Sequence, residues 1–431
     1  MTFEQFTQAQ RVHFIGIGGI GISAIARMLQ LSGKKISGSD RSESEITTEL
    51  EKIGISISIG QTAENIEDGT DLVIYTVAIP DDNQELMKAR GLGIACITYP
   101  EALGIISKEK YTIAISGTHG KTTTTAMIAK MFIDAKLDPT VVVGSILKDQ
   151  KTNFISGSSK YLIAEACEYR RSFLNLTPQI LIITNIDDDH LDYYKDIEDI
   201  KSAFIELIEK IPKIGFLICD LEQPHIADVV KKAKCTIVDF EVFFDSNLKL
   251  KIPGEHNLSN AAAALAVADV LEIPRKEAEE SLKDFSGTWR RFDYKGVTKN
   301  GALVYDDYGH HPTEVRATLK GARDMFPEKR IVVAFQPHLY SRTKQHLKDF
   351  GTAFYDADEI IVAPIYAARE PNDPSISAAV LATEIAEHGQ PASASQSLDA
   401  VSQRLEVLGE GTVIITMGAG DIYKVGEKVV V

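Results

Sequence analysis

The sequence contains few cysteines, and none of them form a close pair. Only four occur among 431 residues, at positions Cys96, Cys167, Cys219 and Cys235. We therefore expect no disulfide scaffold, no paired-cysteine zinc site and no thioredoxin-like redox motif. A chain of this length can bury hydrophobic cores without such cross-links. The cysteine usage predicts a reducing, cytoplasmic setting.

Long apolar runs and an excess of positive charge are also absent. No run of 18 apolar residues occurs, and the opening segment MTFEQFTQAQ lacks a basic stretch followed by an apolar one, so we expect neither membrane insertion nor export. The 46 Lys and Arg residues are outnumbered by 61 Asp and Glu residues, which gives a net charge of −15. That charge would repel a nucleic-acid backbone. Small phosphorylated ligands stay compatible, because a local nest of amides can outweigh a distant field.

The order of apolar runs predicts an α/β protein of three domains. Short apolar runs alternate with helix-like stretches, as they do in parallel sheets flanked by helices. At roughly 100–200 residues per domain, the length fits three such units. We predict a first domain at residues 1–107, a central domain at 108–288 and a third domain at 289–431. Helices are expected from near Asn257 and from Pro312 to Met325.

A first glycine turn, GIGGIG, follows the predicted strand VHFIG and precedes a predicted helix. Gly16, Gly18 and Gly21 have the spacing of a dinucleotide-binding fingerprint in the strand-turn-helix context that this fingerprint requires. Glycines let a diphosphate approach the backbone, and amides at a helix start favour its charge. Asp40 ends the next predicted strand, where it is placed to accept a ribose hydroxyl. A tight turn that only packs a helix on a sheet is the alternative.

A second glycine turn lies in the segment ISGTHGKTTTT. It departs from the general P-loop pattern, because Ile115 stands where the first glycine of that pattern belongs. Its physical features nevertheless suit a triphosphate and Mg²⁺: curled backbone amides, a point charge and a hydroxyl. These features come from Gly117, Gly120, Lys121 and Thr122. The alternative is a run that only caps a helix.

Several segments together resemble the Mur ligase family of peptidoglycan assembly. They are GTHGKTTTT, EACEYRRSFL, TNIDDDHLDYY, PGEHNLSNAAAA, YDDYGHHPTE and FQPHLYSRT. The first glycine turn is similar to that of alanine-adding members, and the joint match spans all three predicted domains. The resemblance implies a Rossmann-like UDP-sugar domain, a central P-loop-type ATP-binding domain and a C-terminal Rossmann-like domain. It implies ATP- and Mg²⁺-dependent ligation of L-alanine to UDP-N-acetylmuramate through an acyl phosphate, in cytoplasmic peptidoglycan precursor synthesis.

The resemblance also implies which residues contact each nucleotide. The residues expected to bind the UDP-sugar surround the first turn: Gly16, Gly18, Gly19, Gly21 and Asp40. Those expected to bind ATP are Gly117, Thr118, His119, Gly120, Lys121, Thr122, Thr123, Asn257, Asn260 and Asp307. Glycines alone would not have distinguished a UDP-sugar from a nicotinamide cofactor.

Catalytic, metal and acceptor roles follow from the same motifs. The expected catalytic residues are Lys121, Glu165, His190 and Arg291. The expected metal-site residues are Thr122, Glu165 and His190. The residues expected to face the muramyl group or the amino acid are Tyr308, His310, His311 and Arg342, the last as a clamp for the amino-acid carboxylate.

Two positions complicate these assignments. Glu168 lies three residues beyond Glu165; motif position favours Glu165 as the ligand, and one carboxylate of the two could instead pair with Arg170 or Arg171. Leu339 stands where some relatives carry an additional arginine, so half of a possible carboxylate clamp is missing or replaced.

Three other functions fit part of the sequence. A related recycling ligase, which attaches a preformed peptide to the same sugar nucleotide, would differ mainly in the first glycine turn and the acceptor pocket. An NAD-dependent oxidoreductase would explain GIGGIG and Asp40 but not the ATP-type loop. A nucleotide sensor without catalysis would keep the loop, although the presence of Glu165, His190 and Arg291 argues against it.

Overall fold

The computed structural model describes residues 1–191, 193–368 and 370–431. Its strands form three sheets of five, seven and six strands. Three sheets agree with the predicted fold class, whereas the predicted domain boundaries, after residues 107 and 288, stay predictions. Among the described residues, no helix combines the length and the apolar character that crossing a bilayer requires.

The chain forms two compact units. The first comprises Met1–Phe244 and Asn260–Leu282, and it contains the five-stranded and seven-stranded sheets. The second comprises Asp245–Ser259 and Lys283–Val431, and it contains the six-stranded sheet. One boundary between the units falls inside the helix Glu255–Val270, and another falls inside the helix Arg275–Asp284.

The five-stranded sheet is parallel throughout. Its strands are β1 (Arg11–Ile15), β2 (Lys35–Asp40), β3 (Ser56–Ile59), β4 (Leu72–Tyr75) and β5 (Ala95–Thr98). The accompanying helices are α1 (Phe3–Gln8), α2 (Ile20–Leu31), α3 (Glu45–Lys52), α4 (Gln84–Gly91) and α5 (Tyr99–Ser107). The order β3-β2-β1-β4-β5 reverses direction between β1 and β4. Open sheets bind ligands beyond the strand ends at such a switch point.

The seven-stranded sheet has the order β12-β11-β10-β6-β9-β7-β8, and only β8 runs antiparallel to its neighbour. Its strands are β6 (Tyr111–Ser116), β7 (Thr140–Leu147), β8 (Thr152–Ile155), β9 (Tyr161–Glu165), β10 (Ile180–Ile183), β11 (Phe216–Cys219) and β12 (Thr236–Asp239). The helices that follow β6 are α6 (Lys121–Asp134), α7 (Ile197–Ile208), α8 (Pro224–Val229), α9 (Glu255–Val270) and α10 (Arg275–Asp284). Strand β10 is buried along its whole length, as expected for a strand covered on both faces.

The six-stranded sheet has the order β13-β14-β18-β15-β16-β17. Its strands are β13 (Asp293–Val297), β14 (Leu303–Asp307), β15 (Arg330–Phe335), β16 (Glu359–Val362), β17 (Ala392–Ala394) and β18 (Thr412–Met417). Its helices are α11 (Pro312–Met325), α12 (Tyr340–Gln345), α13 (Leu347–Gly351), α14 (Ala378–Glu387), α15 (Leu398–Glu406) and α16 (Tyr423–Val429). Helix α11 has the predicted bounds, because proline at its first position and a capping box define its start.

The two sheets of the first unit share one hydrophobic core. A single buried cluster includes Phe14 of β1 and Phe204 of α7. The buried side chain of Asn153 in β8 donates hydrogen bonds to the carbonyl of Ile20 and to Oγ of Ser23, 2.9 Å away, both in α2. A satisfied buried amide of this kind fixes the hairpin β7-β8 against the helix that follows the first glycine turn.

Candidate active site

The second glycine turn forms a curled loop between β6 and α6. Gly117 and Gly120 have φ angles of +128° and +82°, which glycine reaches without a Cβ clash. The amides of Thr118 and His119 donate to the backbone and side-chain oxygens of Asn185, at 3.0 and 2.8 Å. The loop is thereby tied to the segment after β10, and it leads directly into a helix N-terminus that favours anions.

Lys121, the first residue of α6, folds back over this loop. Its Nζ donates to the carbonyls of Gly117 and Thr118, at 2.6 and 2.8 Å, and to Oε1 of Glu168, at 2.9 Å. The ion pair is shielded, with side-chain exposures of 13% for Lys121 and 3% for Glu168. Burial, the largest single influence, would lower the pKa of Lys121, but the charge and hydrogen bond of Glu168 together with the neighbouring Cys167 and Glu165 raise that pKa overall. The ammonium therefore stays charged in the loop.

Glu168 is the carboxylate at the centre of this group. Its Oε1 also lies 3.5 Å from Nε2 of His190, while its buried Oε2 has no hydrogen-bond partner among the residues that the structure describes. Burial would raise the pKa of Glu168, yet the charges of Lys121 and His190 lower it. Burial likewise opposes the charged form of His190, but the contact with Glu168 raises the pKa of that imidazole. Glu168 and its two cationic partners thus form one coupled cluster.

The alternative that one of the two carboxylates pairs with Arg170 or Arg171 is not what the structure shows. Arg171 forms ion pairs with Asp199, at 2.7 Å, and with Glu206, and Arg170 donates to a backbone carbonyl. Glu168 turns instead toward the glycine loop, because the chain bends sharply after it through two residues with positive φ. Its place just beyond the carboxyl end of β9 was the signal that could have identified it.

Two of the three predicted metal-site residues are in direct contact. The hydroxyl of Thr122 donates to Oε1 of Glu165 at 3.1 Å, and the amide of Gly144 donates to Oε2 of the same carboxylate at 2.8 Å. His190, the third, contacts Glu168 instead. A hydroxyl, a carboxylate and the partnerless oxygen of Glu168 are hard oxygen donors, so the residues present fit Mg²⁺.

The predicted asparagines fall in different units. In the first unit, Oδ1 of Asn260 accepts from the hydroxyl of Thr124 at 3.1 Å, and a Cβ added to Gly120 would lie 2.5 Å from that oxygen. Asn260 therefore packs directly against the glycine loop. Asn257 belongs to the second unit, where its side-chain amide donates to the carbonyl of Pro253 at 2.6 Å.

The remaining predicted loop residues are held by the segment after β10. Nε2 of His119 lies 3.3 Å from Oδ2 of Asp187. The backbone amide of Asp187 donates to the hydroxyl of Thr118 at 2.9 Å. Thr123 is buried in the first turn of α6. These contacts give the loop a defined conformation, while the ligand roles of its residues stay predictions.

The first glycine turn is built differently. Gly16 has a φ of +78°, and helix α2 begins at Ile20 with Gly19 as its N-cap. The amide of Gly18 donates to Oδ2 of Asp40 at 2.8 Å, so Asp40 lies at the turn, while its expected contact with a ribose hydroxyl stays a prediction. A Cβ added to Gly18 would lie 2.8 Å from Oδ2 of Asp40, and one added to Gly21 would lie 2.9 Å from the ring of Tyr99 in α5.

In the second unit, Arg291 and Asp307 lie in one polar cluster. The Arg291 guanidinium lies 5.2 Å from the centre of the Tyr308 ring and 3.8 Å from Oε1 of Glu314. Asp307 accepts hydrogen bonds from the amides of Gly309 and Phe292, both at 2.8 Å. Burial raises the pKa of Asp307, although Arg291 opposes the shift. The predicted contact of Asp307 with the ATP ribose stays a prediction.

Arg290, which the sequence interpretation overlooked, is buried beside Arg291. Its Nε donates to Oδ2 of Asp306 at 2.8 Å, and its other nitrogens donate to backbone carbonyls that include Gly418. The guanidinium lies 4.6 Å from the Tyr423 ring centre and 5.1 Å from that of Tyr308. Burial raises the pKa of Asp306 to about 6. The paired arginines of TWRRF therefore divide into a buried anchor and a partly exposed neighbour.

The predicted acceptor residues also belong to the second unit. His311 caps α11, and the ring of His310 lies 5.7 Å from the ring of His338. Nη1 of Arg342 lies 3.0 Å from Nδ1 of His338. Leu339 is buried and has a φ of +69°, which is a strained conformation for a residue other than glycine. The structure thus brings His310 and Arg342 to the same histidine.

Comparison with known families identifies the class of protein. Three family models match the chain. They are described as "Mur ligase family, catalytic domain" over residues 11–111, "Mur ligase middle domain" over residues 115–247 and "Mur ligase, glutamate ligase domain" over residues 290–420. The chain belongs to the Mur ligase family. The resemblance noted from the motifs is therefore confirmed.

Particular relatives share nearly the whole chain. The UDP-N-acetylmuramate--L-alanine ligase of Clostridium kluyveri is 43% identical, with 99% of both chains covered. The protein of the same name from Clostridium acetobutylicum is 42% identical, with 97% of both covered. The solved UDP-N-acetylmuramate-alanine ligase of Thermotoga maritima has a TM-score of 0.83 at 30% identity, covering 97% of this chain and 98% of its own. The predicted fold class, three α/β domains with parallel-rich sheets, is confirmed.

Proposed function

We propose that this chain is an ADP-forming ligase that uses ATP to join L-alanine to UDP-N-acetylmuramate. The observation that carries the proposal is the 43% identity to a ligase of that name over 99% of both chains. The recycling ligase is less well supported, because the solved murein peptide ligase of Psychrobacter arcticus is 22% identical and indicates a shared fold alone. An oxidoreductase would leave Lys121 and its loop without a function. The reaction belongs to cytoplasmic peptidoglycan precursor synthesis.

The chemistry requires an activated carboxylate. A free carboxylate forms an amide poorly, because its leaving group would be oxide or hydroxide. Attack of the muramyl carboxylate on the γ-phosphorus of ATP would release ADP and form an acyl phosphate. The amine of alanine would then attack the acyl carbon and lose a proton as inorganic phosphate leaves. Lys121 and Arg291 would stabilise the charge that develops on the phosphoryl oxygens.

A divalent cation fits beside the loop. Mg²⁺, when bound, would neutralise charge on the transferring phosphoryl group. Thr122 and Glu165 would hold it through their hydroxyl and carboxylate oxygens, which already lie 3.1 Å apart. His190 would orient a second cation near the γ-phosphate.

The acceptor would be recognised by the second unit. Arg342 has a forked set of donors suited to a carboxylate, and its contact with His338 at 3.0 Å orients that fork. Tyr308, His310 and His311 would border the muramyl group or the amino acid. In the first unit, Gly16, Gly18, Gly19, Gly21 and Asp40 would hold the UDP portion of the sugar nucleotide.

The direct test is phosphate release from ATP and UDP-N-acetylmuramate with a panel of acceptors. We expect release with L-alanine, and the panel includes glycine and serine as alternative acceptors. Release with a tripeptide alone would favour the recycling ligase, and nucleotide binding without turnover of any acceptor would favour the sensor. A change in nicotinamide absorbance with candidate substrates would support the oxidoreductase.

The acceptor site has its own test. Arg342→Ala should raise the KM for L-alanine about tenfold or more, because it removes a charged hydrogen-bond partner of the carboxylate, while the KM for ATP changes little. Steady-state kinetics with each substrate varied in turn would measure the split. An unchanged KM for alanine would place the carboxylate clamp elsewhere.

A further inference from the structure

We propose that Glu168 is a positioning residue. Its carboxylate pairs with the ammonium of Lys121 in the absence of nucleotide, and the phosphates of a bound nucleotide replace it as the partner of that ammonium. This inference rests on the proposed binding of ATP at the 117–122 loop. It assigns a role to the carboxylate that the motifs placed second to Glu165.

The first observation is the arrangement around the ammonium. Lys121 has three N–H donors, and three acceptors surround it: the carbonyls of Gly117 and Thr118 and Oε1 of Glu168. The first two are part of the loop itself and move with it. Only Glu168 is supplied by a distant segment, 47 positions along the chain. An incoming phosphate oxygen would therefore compete with Glu168 for the lysine.

The second observation is that Glu168 is held in position by its surroundings. The residue is 2% exposed, and the hydroxyl of buried Tyr194 donates to its backbone carbonyl at 2.5 Å. The lysine side chain, by contrast, has four rotatable bonds between its backbone and its charge. When a nucleotide binds, Lys121 is the partner that changes its contacts, and the carboxylate stays in place.

The third observation concerns the charge that this exchange leaves behind. Within the described part of the chain, the buried Oε2 of Glu168 has no hydrogen-bond partner, and Oε1 would lose its contact with Lys121. A buried carboxylate without a cation is strongly unfavourable. Another titratable side chain in contact with this oxygen is His190, whose Nε2 lies 3.5 Å from Oε1. Glu168 therefore opposes nucleotide binding unless His190 or a metal cation compensates its charge, and it links binding of the phosphates to binding of the cation.

The test is nucleotide affinity without divalent cation. Titration calorimetry in excess EDTA should show that the Glu168→Gln variant binds ATP about tenfold more tightly than the wild type does. The reason is that a neutral amide of similar shape no longer forms an ion pair with Lys121. Turnover with Mg²⁺ should fall by a similar factor, because His190 loses the carboxylate that orients it. Tighter binding with slower turnover is a combination that a purely structural role would not produce.

Glu206→Gln is the matched control. It neutralises the exposed partner of Arg171 on α7, outside the loop, so it should change neither quantity. If the Glu168→Gln variant binds ATP in excess EDTA as tightly as the wild type or more weakly, the proposal is overturned. If that variant does not fold, Tyr194→Phe decides the matter: it removes only the hydroxyl that fixes Glu168, so tighter binding supports the proposal and unchanged or weaker binding overturns it.

Failure of this inference can be distinguished from failure of the proposed function. Wild-type phosphate release with L-alanine tests the function alone. Absence of that turnover, together with tighter ATP binding by Glu168→Gln, would remove the function and keep the role of Glu168. Normal wild-type turnover, together with unaltered ATP binding by Glu168→Gln, would keep the proposed function and remove the role of Glu168.

Discussion

The two glycine turns of the first unit share a strand-turn-helix setting but differ in the charges around them. In the first turn, the carboxylate of Asp40 accepts the amide hydrogen of Gly18 at 2.8 Å. In the second, the ammonium of Lys121 lies over the loop carbonyls and pairs with Glu168 at 2.9 Å. Glycines set how closely a phosphate can approach the backbone, whereas the side chains placed beside them set the electrostatic preference.

The backbones of the two turns also differ. The first turn has one glycine with positive φ, Gly16, and its helix starts after Gly19 at an ordinary φ of −66°. The second has two such glycines, Gly117 and Gly120, and the latter is the N-cap itself. At the start of α6, the positive φ of Gly120 therefore disfavours any residue with a side chain. At the start of α2, neighbouring atoms are the main obstacle to a side chain.

The largest expected effect is on the charge of the second turn. Lys121→Ala should reduce turnover by about 1,000-fold or more, because the cation nearest the proposed phosphate site is lost. The affinity for UDP-N-acetylmuramate should change less than about twofold, since the first turn keeps its contacts. Phosphate release and calorimetry would measure the two quantities. Equal losses in both would contradict the division of labour between the turns.

A smaller effect is expected from the backbone of the second turn. Gly120→Ala should weaken ATP binding about tenfold to 100-fold, since a Cβ there meets a φ of +82° and Asn260 Oδ1 at 2.5 Å. Nucleotide titration would measure the loss. Gly33→Ala is the matched control: its φ is +84°, but nothing lies within 4 Å of the added atom. Should the control lose as much ATP affinity, general backbone strain rather than the loop would be responsible.

The smallest expected effect is on the carboxylate of the first turn. Asp40→Asn should weaken the UDP-sugar by about tenfold and leave ATP binding unaltered, because one charged hydrogen-bond acceptor becomes neutral. Asp71→Asn is the control, since its carboxylate accepts the amides of Gln10 and Arg11 at the opposite end of β1. If Asp40→Asn weakened ATP binding more than UDP-sugar binding, the assignment of the two nucleotides to the two turns would be reversed.

Much of the fold was predictable from local patterns. The alternation of apolar runs with helix-like stretches predicted parallel sheets flanked by helices, and the first sheet is parallel throughout. The proline at the start of α11, with the cap before it, defined that helix. Helix α2 starts at Ile20, inside the first glycine turn rather than after it, because Gly19 is its N-cap. The hairpin β7-β8 was not predicted, since its antiparallel strand breaks the βα alternation.

The candidate site was predictable in its membership more than in its contacts. Lys121, Thr122 and Glu165 were expected near one another, and Thr122 does contact Glu165. The sequence left open that one of the two carboxylates, Glu165 or Glu168, pairs with an arginine, yet Glu168 contacts Lys121 and His190. Motif position could not reveal this, because a bend after Glu168 decides which way its carboxylate points.

The sequence by itself determined the family, the alternation of strands and helices over most of the chain, and the residues available at the strand ends. These follow from periodicity, turn chemistry and motifs, which act over neighbouring residues. Only the tertiary structure decided which charges meet: Lys121 with Glu168, 47 positions apart, and Arg290 with a carbonyl 128 positions away. Such partners depend on where separate strands bring their ends together, and no local rule specifies that.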